Sequence, residues 1–178
     1  IIDRILNYYA FLSKKIDTIP EYNKYSYYEY IKSYNSYKNS EKCEKDKKFW
    51  DEYSLASQAC IPCEYSNSTD IDYISKRKTF TLSKKDMKNI SDFCRANKIS
   101  IYTFFLAIHS IYFSRINNLD NFVIGTPVFN RSSLKEKNTV GLFMDTIPFN
   151  VKTVSSYTFK KLSEEISIDM MSCFRHQK

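Results

Sequence analysis

Glycine is almost absent from this chain, and the little there is stands in one place. Of 178 residues only Gly125 and Gly141 are glycine, and both fall within 121–151, NFVIGTPVFNRSSLKEKNTVGLFMDTIPFNV, together with Pro127 and Pro148. Glycine serves where the backbone must take positive φ or where another group must come close. The backbone's exceptional positions are therefore expected here. Phe122, Val123 and Ile124, and then Thr146, Ile147, Phe149 and Val151, read as short buried strands. Between them 130–139 is polar and charged. Two strand ends and a glycine-pinned loop predict the wall of a cleft. The same scarcity excludes a phosphate-cradling loop, a dinucleotide fingerprint and a G-x-S-x-G nucleophile elbow.

The flanking segments alternate between helical and extended periods. Ile2, Ile5, Leu6, Tyr9 and Leu12 share a helical face. Ser26 and Glu29 have capping-box spacing and open a second helix, whose Tyr27, Tyr30, Tyr34 and Tyr37 form a stripe best read as packing. A third helix over about 40–54 ends in Phe49 and Trp50, with the single Trp as a core anchor. Residues 56–72 lose periodicity, include Pro62 and form the best lobe boundary. The alternation over 73–82 predicts a partly exposed strand. Ser83 caps a helix with Met87, Ile90, Phe93 and Cys94 on one face and Asn97 as a left-handed stop. Ser100 opens the most hydrophobic helix, with Ile101, Phe104, Phe105, Ile108 and Tyr112 expected inward. Ser156 or Thr158 opens the last, which carries Phe159, Leu162, Ile166, Met170 and Cys173.

A net charge of +7 comes from 27 basic and 20 acidic residues that are interleaved, as in 41–48. That is the pattern of a solvated helix face, and no basic stripe or stacking motif points to nucleic acid. No apolar run is long enough to span a bilayer, and no signal peptide is visible. Cys60 and Cys63 have metal-like spacing, but no second pair stands at a spacing to complete a zinc site. Free thiols and a cytoplasmic location are expected. His109 reads as a packed helix residue, and His176 as a cap near a helix C-terminus.

Ile124-Gly125-Thr126-Pro127-Val128 with Asn130-Arg131, followed by Val140-Gly141-Leu142-Phe143-Met144-Asp145-Thr146, resembles the condensation domains of nonribosomal peptide synthetases. That family typically reads IGTPVANR and then GxFVNTLPLR. Residues 25–30 weakly match its YxDYAxW helix, Phe49-Trp50 with Leu55 its YWxxxL, and His176-Gln177 the start of its HQDVPFE. The departure of interest is Asp145, where the family has Asn. An ionised carboxylate only accepts hydrogen bonds, so this substitution removes a donor.

The resemblance implies an α/β fold of the chloramphenicol-acetyltransferase-like, two-lobed type, present in part. Residues 1–66 would end the first lobe and 67–178 begin the second. It implies amide-bond formation between acyl groups carried as thioesters on 4'-phosphopantetheine arms. The partners would be carrier protein domains and adjacent synthetase domains, with no cofactor bound directly. The family's HHxxxDG motif, whose second His positions or deprotonates the attacking amine, is absent and is expected just upstream of Ile1. This chain is thus read as a piece of something longer and as inactive alone, with no catalytic residue of its own. Gly125, Thr126, Asn130, Arg131, Gly141, Phe143, Asp145 and Thr146 are the residues expected to line the substrate channel. Asn130 and Arg131 either bond a pantetheine amide or tie their loop to its own lobe. The alternatives are an epimerisation or heterocyclisation relative, a free-standing acyltransferase of the same superfamily, or a non-catalytic docking scaffold.

Overall fold

The computed structural model describes residues 2–19, 26–54, 58–59, 77–131 and 133–177. In chain order these form α1 (Ile2–Leu12), α2 (Tyr27–Lys38), α3 (Glu41–Ser54), β1 (Gln58–Ala59), α4 (Lys84–Ala96), α5 (Ile101–Asn117), β2 (Asn121–Val128), α6 (Leu134–Lys137), β3 (Asp145–Lys152) and α7 (Phe159–Arg175). Cys60, Cys63 and the expected lobe boundary at 66/67 lie outside the described residues. The helices start where the caps predict. Ser83, Ser100 and Thr158 accept hydrogen bonds from the amides of Asp86, Thr103 and Lys161, each satisfying a donor left over by the first turn.

Two compact units emerge, one of Ile1–Lys48, Pro127–Asp145 and Lys178, the other of Phe49–Thr126 and Thr146–Gln177. In the second unit the sheet has the order β1-β2-β3, with β1 parallel to β2 in the register Gln58 to Phe122. Thr153 N–H donates to the Asp120 carbonyl at 2.8 Å, and Gly125 lies against Thr146. Those two contacts fix β2 and β3 as antiparallel neighbours. Phe122, Phe149 and Val151 are buried from the strands, and Leu162, Ile166, Met170 and Cys173 from α7. The latter set recurs every three to four residues and is the face that α7 was expected to bury.

A polar lock joins α3 to this core. Tyr53 Oη donates to Asp169 Oδ2 at 2.6 Å and accepts from the Asn150 amide at 3.1 Å, while the Asn150 side chain donates to the Tyr53 carbonyl. Burial first, and then the Asp169 bond, holds the Tyr53 phenol well above its ordinary value of 10.0. A raised folded value means that the unfolded chain releases this proton first. The stabilisation is therefore complete below about pH 10 and is lost as the pH rises beyond it. Alkaline unfolding followed by circular dichroism should show that loss, and Tyr53→Phe should flatten it; identical pH profiles would contradict the lock.

Several expectations need correction. Residues 77–82 form no strand, and Phe80 is 87% exposed. Alternation supplies a strand's two faces but not a neighbouring strand to bond, and none pairs with 77–82 among the described residues. The strand at Gln58–Ala59 has no sequence signal, because two residues are too few to display a period. Asn97 has φ −101° and Lys98 has φ 55°, so the left-handed residue lies one position later than expected. Asn97 instead caps through its side chain, donating to the Phe93 carbonyl at 2.9 Å. On α5 the buried residues are Thr103, Leu106, Ala107 and Ser110, whereas Ile101, Ile108 and Tyr112 are exposed. That helix is apolar on nearly every side, so its pattern does not select a face. Packing against α4 and α7 does, and small residues such as Ala107 and Ser110 permit close approach.

Ile101, Ile108 and Tyr112 of α5, and Ile168 and Met171 of α7, are exposed, and the isolated chain is expected to associate through such faces. Sedimentation over a concentration series should show self-association, accompanied by binding of a hydrophobic dye. A sharp, dye-negative monomer at every concentration would mean that these faces need no cover.

Candidate functional site

In the first unit the loop after β2 is held by its own arginine. Arg131 donates to the carbonyls of Glu136, Thr139 at 2.7 Å and Gly141 at 2.9 Å, and its guanidinium lies 4.1 Å from the centre of the Phe143 ring. A planar fork of five donors suits this task, since three carbonyls from different turns converge on one group. Within the loop, α6 begins with a complete capping box. Ser133 Oγ accepts from the Glu136 amide and the Glu136 carboxylate accepts from the Ser133 amide. The box expected at Ser26 and Glu29 is not made in full. Ser26 accepts from Tyr28 N–H, and Glu29 pairs with Lys135. That pairing, first through the hydrogen bond and then through the lysine's charge, holds the Glu29 carboxyl below its ordinary range.

The tyrosine stripe of α2 packs as expected, and one of its partners is the glycine loop. Tyr27 and Tyr30 lie with ring centres 5.4 and 4.3 Å from that of Phe143, and Tyr27 Oη donates to the Leu142 carbonyl at 2.6 Å. Neither glycine has positive φ; the residue in the left-handed region within this stretch is Asn130, with φ 48°. Gly141 is required for space. A β-carbon there would stand 2.6 Å from Tyr27 Cε2 and 2.7 Å from Cγ, distances that real side chains do not show. Asp145 is exposed at the start of β3. Burial chiefly, then Tyr27 and Tyr34, then the charges of Glu136 and Asp145, raise the Tyr30 phenol.

In the second unit Gly125 stands against Thr146, and a β-carbon at Gly125 would meet Thr146 Cγ2 at 3.2 Å. Thr126 is buried. Its Oγ1, like Asn130 Oδ1 in the first unit, is a buried side-chain oxygen with no hydrogen-bond partner among the described residues. An unsatisfied buried oxygen is costly. The structure therefore groups Arg131, Gly141 and Phe143 in one unit and Gly125 with Thr146 in the other. Tyr27 escapes sequence reasoning as a loop contact. No spacing rule links α2 to 141–143, and the only hint is a glycine placed where an alanine fits most loops.

The remaining candidates take structural places. His109 Nδ1 donates to the Phe105 carbonyl at 2.8 Å, within its own helix. His176 is the C-cap of α7; its ring stacks on Phe49 at 4.1 Å and its carbonyl accepts from Trp50 Nε1 at 2.7 Å. Cys43, Cys94 and Cys173 are free thiols. Among the described residues no group of three or more His, Cys, Asp or Glu is placed to hold a metal, and no single helix is long and apolar enough to cross a membrane.

With the strand–loop–strand geometry in place, comparison with known proteins identifies its class. The fold matches solved condensation domains of the chloramphenicol-acetyltransferase-like type. The first condensation domain of the calcium-dependent antibiotic synthetase aligns with a TM-score of 0.76 at 16% identity, over 96% of this chain and 37% of that one. The starter condensation domain of rhizomide synthetase aligns with a TM-score of 0.77 at 20% identity, over 99% of this chain and 39% of that one. The family profile described as Condensation domain matches residues 1–178, and the chain belongs to that family. A plipastatin synthase subunit of Bacillus subtilis (strain 168) is 29% identical over 184 residues, 99% of this chain and 7% of the synthase polypeptide. Surfactin synthase subunit 1 of the same organism is 27% identical over 134 residues, 75% of this chain and 4% of that polypeptide. The chain thus spans only a small part of these relatives.

Proposed function

We propose that this chain is the non-histidine half of a condensation active site in a peptide synthetase. In that reading the parent forms an amide bond. The acceptor's free amine attacks the donor's thioester carbonyl, the sulfur of the donor's pantetheine arm leaves as a thiol, and the acceptor stays on its carrier. Both substrates arrive on carrier domains, and the base for the amine comes from an HHxxxDG motif outside these residues. The observation that carries the reading is the family match over the whole chain, with the glycine stretch intact at Gly125 and Gly141.

Within it, Thr126 and Asn130 are read as lining the channel, with Asn130 the candidate to bond a pantetheine amide. In this reading Arg131, Gly141 and Phe143 would shape the wall, and Asp145 and Thr146, the first residues of β3, would face the substrates. Asp145 would attract a cationic amine. The lobe boundary near 66/67 rests on Pro62 and the loss of periodicity there. A reducing, cytoplasmic setting fits the free thiols. The test uses the intact parent with a donor acyl-carrier and an acceptor aminoacyl-carrier. Amide product on the acceptor carrier is expected. An acceptor changed only in stereochemistry, or a heterocycle, would point to the related domain types instead.

A further inference from the structure

The helix that carries the tyrosine stripe does more than fill space, because three of its residues grip the glycine loop at separate points. Glu29 pairs with Lys135 on α6, Tyr27 donates to the Leu142 carbonyl, and Tyr30 lies against Phe143. Gly141 lacks a side chain where the Tyr27 ring sits, so ring and loop are fitted to each other. Beyond Phe143 the chain runs directly into Met144 and Asp145, which are exposed. We propose that Tyr27 is a positioning residue. By fixing the Leu142 carbonyl and the Phe143 ring it sets where 141–145 stands, and so sets which acceptor side chains the channel admits.

This inference rests on the proposed function. It adds to it a determinant of specificity on a helix outside the glycine stretch. The physical basis is that a pocket discriminates by a methylene only if its wall cannot give way. Tyr27→Phe keeps the ring on Phe143 and removes only the hydroxyl that holds Leu142. A net hydrogen bond corresponds to about a three- to tenfold change in an equilibrium, and the wall should loosen by that factor.

The readout is the product ratio when the intact parent chooses between its cognate acceptor and the homologue one methylene shorter, both carrier-loaded in one tube. A ratio does not depend on how much enzyme is folded, so a purely structural role would leave it unmoved. Tyr27→Phe is expected to lower discrimination about threefold or more, and Tyr27→Ala further. Tyr34→Phe should match the wild type, since the Tyr34 ring contacts Tyr30, Tyr37 and Lys38 rather than the loop. A wild-type ratio in both Tyr27 variants overturns the inference, as does an equal shift in Tyr34→Phe. If the wild-type parent forms no amide, the proposed function fails and this inference with it. A working wild type whose ratio Tyr27→Phe leaves unchanged refutes this inference alone.

Discussion

Replacing Arg131 with alanine is expected to release the loop between β2 and β3 while leaving the core of the second unit folded. Three carbonyls, of Glu136, Thr139 and Gly141, lose a charged donor together, and Phe143 loses the cation that covers it. Hydrogen bonds to charged groups contribute roughly 1.5–3 kcal/mol each, and they are not additive when one group makes all three. A local loss of about 3 kcal/mol is expected, which corresponds to amide exchange across 134–143 faster by about a hundredfold. Arg131→Lys should recover only part of this, because an ammonium is a point donor and cannot span three acceptors. Native-state hydrogen exchange decides the matter: unchanged protection in Arg131→Ala would mean that the loop is held by something else.

The second large effect belongs to Gly141. In the intact parent Gly141→Val should depress amide formation by about a hundredfold or more, with little change in Tm. The residue is exposed and lies outside the packed core, so global stability has little reason to fall. The β-carbon, however, cannot coexist with the Tyr27 ring as placed, and either ring or loop must move. Displacement of a wall by about 1 Å is sufficient for a loss of that size when reacting groups must be held in line. Removing the ring as well, in Gly141→Val with Tyr27→Ala, should return part of the rate. Full activity in the single variant would place Gly141 away from the reaction.

Much of this site is legible in the sequence because its signals are local. The strands around Phe122 and Ile147, the caps at Ser83, Ser100 and Thr158, and the buried face of α7 each follow from residues within one or two turns of one another. What escapes depends on partners distant in sequence. The face of α5 is decided by α4 and α7, not by α5's own nearly uniform hydrophobicity. The alternation over 73–82 carries no information on whether a neighbour is there to pair with it. Glu29 has the spacing of a capping box, yet it pairs instead with Lys135, more than a hundred residues on. Gly141 shows the limit well. Its rarity in the sequence marks the position, but whether it serves a turn or a close approach is decided by Tyr27. The family resemblance adds what no period supplies, namely the expectation of a histidine pair outside these residues and so of a divided active site.

That division is tested most directly by recombining its halves. The purified chain, incubated with loaded donor and acceptor carriers, should yield no amide product, because the family's HHxxxDG histidine pair is absent from its sequence. Supplying the upstream segment that carries HHxxxDG, together with the downstream remainder of the domain, should restore amide formation and reduce dye binding to the exposed helix faces. Clear turnover by the chain alone, with no upstream segment present, would contradict the assignment of the catalytic histidines to the other half.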